Sequence, residues 1–152
     1  MDTSSLIYLS DFRKFDEILT VDSVIREVKD RITALKLASL RLKTIEPRKE
    51  TIKEIEDIAR KTNDLEKLSR TDIEVLAAAK EKDCTIISDD RNIQNVAEKM
   101  GMEYISIFSK KITKLITWKK YCKNCKKYFK GRECPVCGEK LARVPEASVE
   151  IK

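Results

Sequence analysis

Residues 69–90 read Ser69-Arg-Thr-Asp72-Ile-Glu-Val-Leu-Ala-Ala-Ala79-Lys-Glu-Lys-Asp-Cys84-Thr-Ile-Ile-Ser88-Asp-Asp90, and this stretch decides the fold. Ser69 with Asp72 three residues on is a capping-box variant that opens a helix. The helix that follows is apolar almost all round, which predicts that it is buried rather than laid on a surface. Cys84-Thr-Ile-Ile-Ser88 predicts a buried strand, Asn92–Met100 a helix stopped by Gly101, and residues 103–108 a last strand. Upstream, Ile18–Val21 predicts a short strand. A helix from about Asp22 carries Val24, Ile25, Val28 and Ile32 on one face and runs, bent or broken, towards Leu42. A strand around 43–46 ends at Pro47, and a helix over about 48–62 has Ile52, Ile55 and Ile58 as its stripe. Strands separated by helices imply an α/β fold with a parallel sheet flanked by helices.

The chain has 152 residues, 41% apolar and 38% charged, with only three glycines and three prolines. This is the composition of a helix-rich globular protein, with no apolar run near the roughly 18 residues of a membrane span. The opening Met1-Asp2-Thr3-Ser4 lacks the basic segment of a signal peptide, so a cytoplasmic protein with no membrane association is expected. There is no histidine. That excludes Ser-His-Asp and Cys-His nucleophiles, histidine zinc hydrolases and histidine acid–base catalysis. Carboxylates, lysines, a metal-activated water or a cofactor must do any chemistry.

The net charge of +6 averages two unlike parts: residues 1–108 carry 19 basic and 22 acidic side chains, residues 109–152 carry 13 and 4, and residues 109–132 hold ten bases with no acid. Two modules are expected, one faintly acidic and one seeking polyanions, joined by a basic linker over 109–117. The second module, residues 118–143, contains Cys122-Lys-Asn-Cys125 and Cys134-Pro-Val-Cys137-Gly138. Paired CxxC knuckles present four thiolates to one tetrahedral ion, and zinc prefers that site; four thiolates leave no open position, so a structural Zn²⁺ is expected, one per chain. So short a segment cannot build a sufficient core without the metal. Around it, Trp118, Tyr121, Tyr128 and Phe129 alternate with Lys119, Lys120, Lys123, Lys126, Lys127, Lys130 and Arg132. Aromatic rings that stack bases beside ammonium groups that neutralise phosphates suit single-stranded RNA; the same aromatics could equally be the small core of a zinc ribbon. Residues 144–152 read as a short tail. Cys84 reads as a small apolar residue of its strand.

Four acids stand out by context. Asp2 lies where a first strand would turn into a helix, Glu27 at the rim of an apolar stripe, Asp72 in the first turn of the buried helix, and Asp90 just past a buried strand. Strand ends and helix N-termini meet at one edge of a parallel sheet, the ligand-binding crevice of such folds. Carboxylates gathered there raise one another's pKa unless a cation compensates, and hard oxygen donors suit Mg²⁺ or Mn²⁺. Each acid also has a plainer reading: Glu27 as a partner of Arg31, Asp72 as a cap, Asp89 and Asp90 as turn residues, Asp2 as a terminal charge.

In order, Asp2-Thr-Ser-Ser, Glu27 within Ser23-Val-Ile-Arg-Glu27-Val, Ser69-Arg-Thr-Asp72 with its Ala-rich helix, and Ser88-Asp-Asp90 resemble the acidic motifs of the PIN-domain ribonucleases, over residues 2–108. A PIN domain followed by a CxxC…CPxCG ribbon is similar to the archaeal Nin-one-binding endonuclease family, which matures the 3′ end of small-subunit rRNA; Leu141-Ala-Arg143-Val fits the same pattern. The resemblance implies that Asp2, Glu27, Asp72 and Asp90 hold Mg²⁺ or Mn²⁺, with Asp89, Ser4 and Thr71 in support. It implies phosphodiester hydrolysis by a metal-activated water, leaving 5′-phosphate and 3′-hydroxyl ends. The implied partners are single-stranded precursor rRNA and the precursor of the small ribosomal subunit. Two alternatives are a toxin-type PIN ribonuclease and a non-catalytic assembly factor gripping rRNA through its ribbon. The family carries apolar residues of a central strand before the first aspartate, whereas here only Met1 precedes Asp2; an α-amino group beside that acid would set a positive charge near the metal site.

Overall fold

The computed structural model describes residues 1–8, 12, 15–29, 31–40 and 42–151. In chain order these form α1 (Thr3–Tyr8), β1 (Ile18–Val21), α2 (Asp22–Glu27), α3 (Arg31–Ser39), β2 (Leu42–Ile45) and α4 (Lys49–Thr62). A 3-10 turn over Leu65–Lys67 leads to α5 (Arg70–Lys82), β3 (Ile86–Ile87), α6 (Arg91–Lys99) and β4 (Tyr104–Ile105). Three further strands, β5 (Lys114–Cys122), β6 (Lys127–Tyr128) and β7 (Ala142–Glu150), complete the chain. The long second helix is broken between Glu27 and Arg31, as its sequence allows; the side chains of Arg31 and Ile32 lie outside the described residues.

Helix α5 organises the core. Ile73, Leu76 and Ala77 pack on one side with Ile55, Ala59, Ile86, Ile93 and Val96. Val75 and Ala78 pack on the other with Leu6, Ile18, Val21 and Val24. A helix buried on two sides needs apolar residues around most of its circumference, which is the pattern its sequence shows. Its start is fixed by the full capping box expected of Ser69 and Asp72, and its end by Asp83 in the left-handed conformation. Gly101, at φ +69, follows α6 as a stop.

The α/β part holds two parallel strand pairs, β1 with β2 and β3 with β4. Among the described residues, Met1 and Asp2 link β1 to β3. The Met1 α-amino group donates to the Leu19 carbonyl at 3.0 Å, the Asp2 N–H to the Ile87 carbonyl at 3.3 Å, and the Thr20 hydroxyl to the Met1 carbonyl at 3.1 Å. Beyond Met1 the facing edges leave a slot of about 390 Å³ walled by Ile18, Val21, Val75, Ile86 and Ile87.

Four expectations change. The strand expected over 84–88 shortens to Ile86–Ile87, because Thr85 faces solvent and Cys84, half-buried, turns its thiol to the Lys82 carbonyl. The strand over 103–108 shortens to Tyr104–Ile105, because residues 106–109 are drawn into a loop around Asp89. The basic stretch expected as a linker is strand from Lys114 on, and the expected tail is strand β7; the two form one antiparallel ladder, Lys114 opposite Glu150 through Tyr121 opposite Ala142. Its register slips at Thr117–Trp118, where Pro145 faces Trp118, as a residue without an N–H requires. Charge alternation hid this ladder: Lys119 pairs with Glu146 and Lys114 with Glu150 across it.

Candidate active site and zinc centre

Three of the four candidate acids sit at helix N-termini, where backbone N–H groups and the helix dipole favour negative charge. The Asp2 carboxylate accepts from the Ser5 N–H at 2.7 Å at the start of α1. Asp72, in the first turn of α5, accepts from the Ser69 N–H at 2.8 Å. Asp90 caps α6, accepting from the Asn92 N–H at 2.6 Å and the Asn92 side-chain amide at 2.8 Å, while its own N–H donates to the Ser88 hydroxyl. Glu27 closes α2 and is exposed; it accepts a 2.5 Å hydrogen bond from the Thr3 hydroxyl, next to Asp2. Thr71 is buried and Ser4 exposed.

Asp2 and Asp90 are both close enough to Asp72 to act on its charge. Burial raises the Asp72 pKa first, and the negative charges of Asp90 and Asp2 raise it further against the lowering hydrogen bonds from Ser69. Although among the described residues only the four cysteines gather closely enough to be a ready metal-binding group, Asp72 thus carries an electrostatic penalty of the kind a divalent cation relieves. The donor set is oxygen only, without thiolate or imidazole, and so fits Mg²⁺ or Mn²⁺. Burial lowers the pKa of the Met1 α-amino group, and nearby Asp2 partly opposes the shift.

Asp89 has another task. Burial would raise its pKa, but hydrogen bonds from the Ser106 hydroxyl, the Ser109 and Phe108 N–H groups and the Ser109 hydroxyl bring it down to about 2. Its carboxylate ties the loop after β4 and has little left for an ion. Because the folded pKa lies below the usual 3.8, the stability it adds is full above that value and is lost as pH falls towards 2. With solvent screening this amounts to about 1 kcal/mol. Melting temperatures followed from about pH 5 down to pH 2 are expected to fall less steeply for Asp89→Asn than for the wild type. Equal slopes would show that Asp89 does not drive the change.

The second centre is explicit. The Sγ atoms of Cys122, Cys125, Cys134 and Cys137 all lie within 4.8 Å of one another, the one such group of potential ligands among the described residues. Cys122 and Cys137 approach to 3.5 Å, Cys125 and Cys134 to 3.8 Å. A tetrahedron with Zn–S bonds of about 2.3 Å has sulfurs about 3.8 Å apart, so the four thiols fit one zinc ion. The Cys125 N–H donates to the Cys122 sulfur at 3.3 Å, and Gly138 takes the positive φ expected of it, +74°. The Glu139 N–H lowers the Cys137 thiol to about 6, while hydrogen bonding with the neighbouring thiols and burial push Cys125 up to about 12. A bound metal must displace that proton to gain its thiolate. Leu141 and Phe129 cover the cluster. Phe129 is thus ribbon core, whereas Tyr128 is exposed beside Tyr121 at 5.1 Å.

The candidate RNA-binding bases divide. Lys119 is paired with Glu146, and Lys120 and Arg132 both with Glu66, so much of their charge is already matched. Lys123, Lys126, Lys127 and Lys130 are exposed and lack an ion pair among the described residues. The side chains that sequence reading missed join the two parts. Asp64, 1% exposed, pairs with Arg143; the guanidinium also donates to the Asn92 side-chain oxygen at 3.1 Å and stacks on Trp118 at 4.2 Å. The Asn95 amide bridges Asp64 and the Ile116 carbonyl, and Asn63 donates to the Trp118 carbonyl. Separations of up to 79 residues left no local signal for these contacts.

This α/β core, with acids at converging helix N-termini and a four-cysteine extension, defines the class: residues 1–81 match the PIN domain of ribonuclease, and the chain belongs to that family. The matched span includes Asp2, Glu27 and Asp72; Asp90 and the cysteines lie beyond it. More particularly, the chain is 38% identical over 134 residues to Endoribonuclease Nob1 of Pyrococcus abyssi, covering 83% of each chain. It is 36% identical to Endoribonuclease Nob1 of Archaeoglobus fulgidus, over 82% of this chain and 78% of that one. It is also 35% identical to Ribonuclease VapC1 of Thermoplasma acidophilum, over 94% of this chain and 76% of that one. A ribonuclease function follows from this membership. No described helix is long and apolar enough to cross a membrane.

Proposed function

We propose that this chain is a divalent-metal-dependent endoribonuclease that cuts single-stranded precursor rRNA and matures the 3′ end of small-subunit rRNA in the cytoplasm. The observation that carries the reading is that Asp2, Asp72 and Asp90 each bond the backbone at a helix N-terminus, with the charges of Asp90 and Asp2 reaching Asp72 and Glu27 tied beside Asp2 through Thr3. In this reading residues 1–108 cut, and the zinc-bound residues 118–143 hold RNA or the precursor of the small subunit. Asp2, Asp72 and Asp90, with Glu27 at the edge, would hold Mg²⁺ or Mn²⁺. Such an ion lowers the pKa of water and offsets charge on the phosphate. The protein's own contribution is to fix the carboxylates: Ser69, Ser5 and Asn92 orient them by hydrogen bonds, and the helix dipoles support their ionised form. Water oxygen joins phosphorus as the 3′ oxygen leaves and takes up a proton, so the ends are 5′-phosphate and 3′-hydroxyl.

The zinc-loaded protein with Mn²⁺ is expected to cut a single-stranded RNA spanning the small-subunit rRNA 3′ end at one position. Binding without cutting would contradict the nuclease reading and favour an assembly factor. Equal cutting of unrelated single strands would contradict the maturation role and favour the general-ribonuclease alternative, which draws on the similarity to the protein named Ribonuclease VapC1.

A further inference from the structure

Next to the acidic rim, on the far side of the first turn of α6, lies a cleft of about 440 Å³ between that helix and the strand-forming segment 110–118. Its floor is polar and already satisfied: Asn95 bonds Asp64 and both backbone groups of Ile116, and Asp64 is neutralised by Arg143. Its mouth is cationic. Arg91 and Lys110 are exposed and have no ion pair among the described residues, and Lys111 lies over the Tyr104 ring at 5.0 Å. Its wall is apolar, formed by Ile112, Ile116 and the Trp118 ring, which Arg143 stacks upon and holds in place. A flat apolar wall, amide groups and unpaired cations in one cleft suit a nucleotide: the base lies against the ring while the phosphate meets the guanidinium and ammonium groups.

The cleft is joined to the rim through one side chain. Asn92 donates its amide to Asp90 at 2.8 Å, accepts from Arg143 at 3.1 Å, and lines the cleft. Asp90 and the cleft are thus neighbours, separated by the Asn92 side chain. Unlike Lys119, Lys120 and Arg132, the cations Arg91, Lys110 and Lys111 have no ion pair among the described residues; Lys114, also in the lining, is matched by Glu150. Resting on the nuclease reading above, we infer that this cleft is a nucleotide subsite of the RNA path, holding a residue adjacent to the scissile phosphate, with Arg91 and Lys110 as its phosphate contacts and Trp118 as its base wall.

Trp118 is the only tryptophan of the chain, so its fluorescence reports occupancy of this subsite. The zinc-loaded protein carrying Asp72→Asn, to prevent cutting, would be titrated with single-stranded oligouridylate at several salt concentrations, with and without Arg91→Ala and Lys110→Ala. The oligonucleotide is expected to quench Trp118. The double alanine variant is expected to remove most of the quench and to reduce the log–log salt slope by about 1.4, two phosphate contacts at about 0.7 each. Unaltered melting temperatures would show that it remains folded. Equal quench and equal slope in the two proteins would overturn the subsite. Cleavage by the otherwise wild-type chain separates this result from the nuclease reading. Cutting without quenching removes the subsite alone, whereas quenching that depends on Arg91 and Lys110 in a protein that cuts no RNA removes the nuclease reading alone.

Discussion

Asp72→Asn is expected to lower Mn²⁺-dependent RNA cleavage by about a thousandfold while leaving the fold intact. The amide keeps the oxygen that accepts from the Ser69 N–H, so the capping box that starts α5 loses little. What disappears is one negative charge beside Asp90 and Asp2, and with it part of the pull that the proposed site would exert on a divalent ion. Loss of several kcal/mol of charge stabilisation corresponds to a factor of this size, since each 1.36 kcal/mol is tenfold in rate. The pH dependence should agree in sign. Because burial and the nearby acids raise the Asp72 pKa, its carboxylate takes up a proton at higher pH than an ordinary aspartate does, and cleavage should fall as pH drops. Full activity in Asp72→Asn would remove Asp72 from the site, and a lowered melting temperature with parallel loss would recast it as a cap alone.

The second large effect is expected from metal removal. Four sulfurs within 4.8 Å repel as thiolates and share protons as thiols, and the cover of Leu141 and Phe129 is too small a core to hold them. Structural zinc sites supply about 10–16 kcal/mol of binding free energy, which in a segment of this size is also its folding free energy. Reduced protein is expected to contain one zinc per chain. Chelation, or Cys134→Ser, should abolish the near-ultraviolet dichroism of Tyr121 and Tyr128 and shift Trp118 emission. The core around α5, which shares no residue with the ribbon cluster, should still melt cooperatively. Zinc-free reduced protein with native dichroism would overturn the assignment of the ion as structural.

Legibility differed between the two parts for physical reasons. Helix α5 could be read because its cap, its all-round apolar character and its length agree, and Asp72 was placed because the cap fixes it. The cysteine centre could be read because each CxxC is a local turn. The ladder of β5 and β7 could not: its lysines and glutamates look like solvated charge until they are paired across strands more than twenty residues apart. Asp89 and Asp90 are adjacent and alike in sequence, yet one ties the loop after β4 while the other caps α6 at the rim. Arg143 was visible only as part of a motif; that it locks Asp64, Asn92 and Trp118 together depends on docking that no local pattern encodes.

The central claim is that Asp2, Asp72 and Asp90 share a divalent ion beside the N-termini of α1, α5 and α6. Crystals of the zinc-loaded protein grown with Mn²⁺ test it through anomalous scattering above the manganese edge. The account expects a manganese peak in contact with the Asp72 and Asp90 carboxylates, distinct from the zinc peak among the four cysteines. Manganese bound only elsewhere on the surface, with those carboxylates unliganded, would contradict it.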